Sequence, residues 1–206
     1  MTRTRIKFCG LTRAEDVQCA VALGVDAVGF VLTRRSRRFV EPARARALRD
    51  ALPPFVSAVA LFMDDAADWV DEAVATMRPD LLQFHGEESG GFAGRFDRPY
   101  LKAIPMGSVA DVAAYADRHP RACGFLLDSH VAGAVGGSGE AFDWTRFPRD
   151  LHRPLVLAGG LDAGNVAQAI ASVRPYAVDV SSGIESAPGI KDAERMRAFA
   201  AAVRLA

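Results

Sequence analysis

Eight short apolar runs, each followed by a longer stretch with helical periodicity, constrain this chain more than any other feature of its sequence. They are RIKFC (5–9), AVGFVL (27–32), SAVALFM (57–63), LLQFH (81–85), YLKAIP (100–105), GFLLD (124–128), LVLAG (155–159) and AVDVS (177–181). Aliphatic and β-branched runs of this length read as strands buried on both faces, which belong to parallel sheets joined by helices. The connections carry helix punctuation. Thr12 and Glu15 spell a T-x-x-E capping box, with Val17, Ala20 and Val21 at helical spacing and Gly24 as a stop. Pro42 stands at a first helical position, with Pro53 and Pro54 beyond that helix. Aspartates open the segments that begin at residues 64, 162 and 192. Two connections are poorer: EESGGFAGRF (87–96), and residues 129–143 with Gly133, Gly136, Gly137 and Gly139.

Eight such repeats predict one domain over residues 1–206, a closed parallel (β/α)8 TIM barrel near the lower size limit of that fold. The rival is an open doubly wound sheet. That fold wants G-x-G-x-x-G after its first strand, where this chain offers only CGLT.

Charge excludes one class of partner. Lys and Arg number 25 against 25 Asp and Glu, so no global field attracts a polyanion. Arg34, Arg35, Arg37 and Arg38 cluster without interleaved aromatics, which reads as a solvated loop, or as one guanidinium fork for a small carboxylate, rather than a nucleic-acid surface. Three cysteines, Cys9, Cys19 and Cys123, form no C-x-x-C, which argues against a disulfide scaffold or structural zinc and suits a reducing cytoplasm. No apolar run approaches a bilayer span, and the amino terminus has no signal-peptide core. The expected protein is soluble and cytoplasmic, with neither nucleic acid nor membrane as partner, and is a monomer or a homodimer.

Barrel chemistry gathers at the carboxyl ends of strands. Cys9 ends the first strand, and on its own is either a small packing residue or a reactive thiol. Lys7 shares its strand face and is expected to lower the thiol pKa. Asp128 ends the sixth strand, either as a loop cap or as an acid whose pKa apolar surroundings raise. Gly159 and Gly160 follow strand seven, and Ser181, Ser182 and Gly183 follow strand eight. These are ordinary turns or, taken together, a phosphate site built from backbone N–H groups. His85 shares a face with Gln83. As a metal ligand it lacks partners, because His119, His130 and His152 show no ligand spacing, so no metal is expected.

At this point the blocks KFCGLTR, DAVGFVLTRRSRRFV, LLQFHGEE, LLDS followed by GGSGEAFDW, LAGGLDAGNV and VDVSSGIESAPGIKD are all on the page. In this order they resemble the phosphoribosylanthranilate isomerase family of tryptophan biosynthesis, from about residue 5 to residue 192. The resemblance implies a cofactor-free Amadori rearrangement of N-(5-phosphoribosyl)anthranilate to 1-(2-carboxyphenylamino)-1-deoxyribulose 5-phosphate. It also implies Asp128 as general acid and Cys9 as general base. Arg38 would bind the anthranilate carboxylate, with Gln83 and His85 lining that pocket. Gly159, Gly160, Ser181, Ser182 and Gly183 would hold the phosphate. Asp179, on one strand face with Ser181, is expected to pair with Lys7 or to orient the substrate amine. Glu140 departs from the family pattern, which usually has lysine there. Two other readings remain at this stage: a sister phosphosugar isomerase, whose two-aspartate arrangement would place an aspartate at Cys9, and a barrel that binds phosphate ligands without turnover.

Overall fold

The computed structural model describes residues 3–130 and 143–206, so the glycine-rich stretch 133–139 and Glu140 lie outside the described residues. Eight parallel strands pair in sequence order and close into a barrel, as the apolar runs predict. They are β1 (Arg5–Cys9), β2 (Ala27–Val31), β3 (Ser57–Phe62), β4 (Leu81–Phe84), β5 (Tyr100–Pro105), β6 (Gly124–Asp128), β7 (Leu155–Leu157) and β8 (Ala177–Val180). Strand β7 stops short of its apolar run because Gly159 and Gly160 adopt φ of +80° and +61°, left-handed values that extended backbone does not take.

The helices are α1 (Ala14–Ala22), α2 (Pro42–Arg49), α3 (Ala67–Met77), α4 (Gly90–Ala93), α5 (Val112–Asp117), α6 (Val166–Val173) and α7 (Ala193–Leu205). None of the described helices is long and apolar enough to cross a membrane. After β8 the chain adds a small antiparallel hairpin, β9 (Glu185–Ala187) with β10 (Ile190–Lys191), which the sequence pattern did not announce.

Helix starts follow the sequence signals unevenly. Pro42 opens α2, and Asp192 caps α7 by accepting from the amides of Glu194 and Arg195 at 2.9 and 3.0 Å. Gly24, at φ +63°, ends α1 as expected. The capping box is not formed. Thr12 Oγ1 instead donates to the Gly189 carbonyl at 2.5 Å, and α1 begins at Ala14 with no side-chain cap. A tertiary partner in the β9–β10 turn has taken the hydroxyl. Asp64 and Asp65 likewise do not cap α3, since Asp65 accepts from the Met63 amide at 2.9 Å. Asp162 closes the turn before α6 through the amides of Gly164 and Asn165 at 2.7 and 3.1 Å.

Alternation along each strand sorts the side chains into two cores. Ile6, Phe8, Phe30, Phe62, Phe84 and Phe125 pack outward against Val17, Val70, Met77 and Phe199 of the helices. Leu101, Ala103, Leu126, Val156, Ala158 and Ala177 form a separate apolar layer inside, and Cys9, Val31 and Leu61 a third cluster. The interior is thus filled with side chains, and its upper layer is where the polar residues begin.

Phe8 measures the outer core. It is fully buried and meets Phe199 edge-on, with ring centroids 6.0 Å apart, so it ties the first strand to the last helix. Phe8→Ala is expected to cost about 3–5 kcal/mol by leaving a cavity. Urea unfolding followed by circular dichroism would check this, and a loss below about 1 kcal/mol would show that the site collapses around the gap.

Candidate active site

The barrel closes where β1 meets β8, and the register there sets Lys7 opposite Asp179. Lys7 Nζ donates to Asp179 Oδ1 at 2.7 Å, and both side chains are buried. Burial lowers Lys7 and raises Asp179, while each partner's charge works the other way. The contact wins at Lys7, which stays above its ordinary value, whereas the Asp179 carboxyl remains pushed up by burial.

Cys9 lies two residues along β1 from Lys7, 4 % exposed. Its neighbour in register on β2 is Gly29. A Cβ on Gly29 would come within 2.8 Å of Cys9 Sγ and 3.1 Å of Lys7 Nζ, so the missing side chain makes the space these two groups occupy. Sequence reasoning passed over Gly29. Lys7 does lower the thiol, as expected, but the net shift is upward. Burial pushes Cys9 up and Asp179 adds to it; Lys7 and Lys191 pull the other way without reversing the result.

Arg38 reaches the same rim. Its Cδ lies where a Gly10 Cβ would come within 2.6 Å, beside Ser181 Oγ. Two of its nitrogens make a bidentate pair with Glu185, Nε to Oε1 and Nη2 to Oε2, both at 2.8 Å. Glu185 Oε1 also accepts from Lys191 Nζ at 2.8 Å, and Lys191 donates to the Ser181 carbonyl at 3.0 Å. Glu185 and Lys191 were not singled out from sequence, although both lie in the VDVSSGIESAPGIKD block and are buried. The remaining arginines disperse: Arg34 stacks over Trp69 at 3.9 Å, Arg35 lies 3.7 Å from Asp64, and Arg37 is exposed.

The loops after β7 and β8 pack against one another. A Cβ on Gly183 would fall 2.0 Å from the Leu161 carbonyl oxygen, and one on Gly159 2.4 Å from the Ser129 amide. Only glycine allows backbones so close. Gly159, Gly160, Ser181, Ser182 and Gly183 therefore line neighbouring loops at one end of the barrel.

Across from Cys9, Asp128 ends β6 between two imidazoles. Its oxygens lie 3.5 Å from His85 Nε2 and 3.3 Å from His130 Nδ1, and the two rings stack with centroids 4.5 Å apart. Burial alone would raise this carboxyl, but the contact with His130 and the charges of both histidines hold it down at about 2. The raised acid expected from sequence is thus corrected: the two imidazoles stabilise a carboxylate. Burial lowers His85 to about 4. Gln83 Nε2 lies 3.2 Å from His85 Nδ1, on the shared strand face. Behind the wall, the buried Lys102 donates to the carbonyls of Phe84 and Gly86, which flank His85, and pairs with Glu88 at 3.3 Å. His130 was set aside in the sequence for want of ligand spacing, yet it meets His85 across β4 and β6, and with Asp128 the two form a compact cluster of potential metal donors.

The comparisons with known proteins concern nearly the whole chain. Residues 6–202 match the family model described as N-(5'phosphoribosyl)anthranilate (PRA) isomerase. The chain belongs to this family. It is 54% identical over 210 residues to an N-(5'-phosphoribosyl)anthranilate isomerase of Xanthomonas oryzae pv. oryzae, covering 99% of this chain and 95% of that protein. The crystal structure of the phosphoribosyl anthranilate isomerase of Thermus thermophilus superposes with a TM-score of 0.87 at 42% identity, covering 98% of this chain and 99% of the other. A further isomerase structure, in complex with reduced 1-(o-carboxyphenylamino)-1-deoxyribulose 5-phosphate, superposes with a TM-score of 0.84 at 34% identity, covering 98% of this chain and all of the other. The family is one of aldose–ketose isomerases.

The charge arrangement around the sulfur predicts a chemical response. Asp179→Asn removes the carboxylate that adds to the effect of burial on Cys9 and leaves the two lysines, Lys7 and Lys191, unopposed by a nearby negative charge. Alkylation of Cys9 by iodoacetamide, followed by peptide mass spectrometry with Cys19 and Cys123 as internal references, should accelerate on the order of tenfold. An unchanged or slower rate would take Asp179 out of the electrostatics of the sulfur.

Proposed function

We propose that this chain converts N-(5'-phosphoribosyl)anthranilate to 1-(2-carboxyphenylamino)-1-deoxyribulose 5-phosphate in tryptophan biosynthesis, with Asp128 as general acid and Cys9 as general base. One observation carries the reading. In the closed strand order, β7 and β8 stand between β6 and β1, so the glycine-rich loops occupy the arc that separates Asp128 from Cys9. A phosphosugar held there by its phosphate has an acid on one side and a base on the other.

The steps use groups already described. Backbone amides of Gly159, Gly160, Ser182 and Gly183, with the Ser181 and Ser182 hydroxyls, bind the phosphate. Arg38 takes the anthranilate carboxylate through Nη1, the nitrogen that Glu185 does not engage, and His85 and Gln83 line the ring pocket. Asp128 delivers a proton to the furanose oxygen as the C1–O bond breaks, which leaves an iminium between C1 and the anthranilate nitrogen. Cys9 then removes the C2 proton, and the resulting enolamine relaxes to the ketone. The iminium is the electron sink, so the substrate supplies its own activation.

Resting charges fit a sequential order. The free site keeps its proton on sulfur and its negative charge on Asp128. Bound substrate excludes water and brings two anionic groups, and both effects raise Asp128 toward its acid form. The proton that Asp128 gains is matched by one that the sulfur gives up to solvent before the chemistry begins, and ring opening then creates a cation near Cys9 that favours the thiolate just when a base is required.

Turnover is followed by loss of anthranilate-type fluorescence as purified protein consumes the substrate. Cys9→Ser and Asp128→Asn are each expected to reduce kcat by about 10²–10⁴-fold, the usual contribution of one positioned proton transfer. A wild-type protein that leaves the substrate unchanged sinks the isomerase reading; two variants that keep full turnover sink only the acid–base assignment.

A further inference from the structure

We infer that His85, Asp128 and His130 form a site for one divalent transition-metal ion of the zinc class, and that an ion held there blocks the barrel mouth. The donor set is two imidazoles and one carboxylate, on residues only 5–8 % exposed, with ligand atoms all within 4.8 Å of one another. Borderline-soft divalent ions favour such mixed nitrogen and oxygen donors.

Distances support the fit. Around an ion with bonds of about 2.0–2.1 Å, adjacent tetrahedral donors stand about 3.3 Å apart. Asp128 Oδ1 lies 3.3 Å from His130 Nδ1, already one edge of such a polyhedron, while its other oxygen, Oδ2, lies 3.5 Å from His85 Nε2. These contacts are poor hydrogen bonds. His85 Nε2 and His130 Nδ1 are both buried nitrogens without a hydrogen-bond partner among the described residues. Buried polar atoms are rarely left so, and one cation would satisfy both.

A third atom completes the argument. Gln83 Oε1 is also buried without a partner, while Gln83 Nε2 faces His85 Nδ1 at 3.2 Å. The two ends of an amide are nearly isosteric, so the group can turn over. Turned, Oε1 accepts the Nδ1 proton of His85, which leaves the Nε2 lone pair directed at the ion and satisfies the oxygen as well. A metal-bound histidine is commonly oriented by such an outer carbonyl. Three protein donors leave one coordination position for water or an exchangeable ligand.

The binding part stands on these atoms alone; the blocking part rests on the proposed role of Asp128, whose oxygens the ion would engage. Tag-free, chelator-treated protein titrated with cobalt(II) chloride is expected to take up one equivalent, with the visible absorption of a four-coordinate ion, bleached by zinc sulfate. His130→Ala and His85→Ala should each weaken cobalt affinity by about tenfold or more, and Gln83→Ala by about tenfold, with circular dichroism confirming the fold. If His130→Ala does not fold, His130→Gln takes its place. No stoichiometric cobalt spectrum, an unchanged affinity in the histidine variants, or an intense near-ultraviolet thiolate–cobalt band from a cysteine would each overturn the site. Zinc should suppress turnover and a chelator should restore it; zinc that binds without suppressing turnover overturns the blocking. Cobalt binding by a protein that never turns over the anthranilate substrate would leave the site intact and remove the isomerase reading instead.

Discussion

The buried pair of Lys7 and Asp179 is the contact on which the rest of this barrel mouth depends. It spans the one seam that sequence-adjacent pairing cannot make, where the first strand must find the last. Closure abolishes sheet edges, but it also fixes register: a slip of one residue would turn Lys7, Cys9 and Asp179 outward into the phenylalanine layer. Two charges facing one another inside the wall penalise every register but one. Breaking such a pair by removing one partner costs about 3–5 kcal/mol, because the other charge stays buried and alone. The same contact sets the electrical surroundings of Cys9, so closure and reactivity are coupled through one lysine.

A second consequence concerns where charge is tolerated. Interior positions below the rim are apolar, as Leu101, Leu126, Val156 and Ala177 show. At the rim the alternation continues with Cys9, His85, Asp128 and Asp179 on the same inward faces. The charged groups there are paired across strands and loops, Lys7 with Asp179 and both Arg38 and Lys191 with Glu185, while Asp128 sits between His85 and His130. These pairs hold side chains in place before any substrate arrives, which lowers the ordering cost of binding.

Much of this was legible in the sequence because it depends on local period. Strand number, the inward placement of Lys7, Cys9, Gln83 and His85, and the glycine loops after strands seven and eight all follow from residues near one another in the chain. What was not legible depends on distance. His130 looked isolated because its partner His85 is 45 positions away in the numbering and reaches it only across the barrel. Thr12 read as a cap until the turn after β8 offered it a carbonyl. Glu185 and Lys191 lay in plain view, but nothing local told them from surface charges. The charges of Cys9 and Asp128 were not legible for the same reason, since burial and cross-strand partners decide both.

The arrangement around Asp128 shows why local sequence does not decide its charge. A carboxyl at the end of an apolar strand should rise in pKa if apolar walls are all it meets. Here His85, just past β4, and His130, two residues beyond the end of β6, meet it first, and these contacts outweigh desolvation. Lys102 grips the carbonyls on either side of His85 from behind, so the backbone from which the ring reaches the carboxylate is held by buried hydrogen bonds. Its ammonium is itself buried and paired with Glu88, so releasing that grip would strand a charge in the wall. The backbone position of one histidine therefore traces to an ion pair on the opposite side of the sheet. In this barrel the outer layer positions side chains of the inner one, and the strand between them carries both.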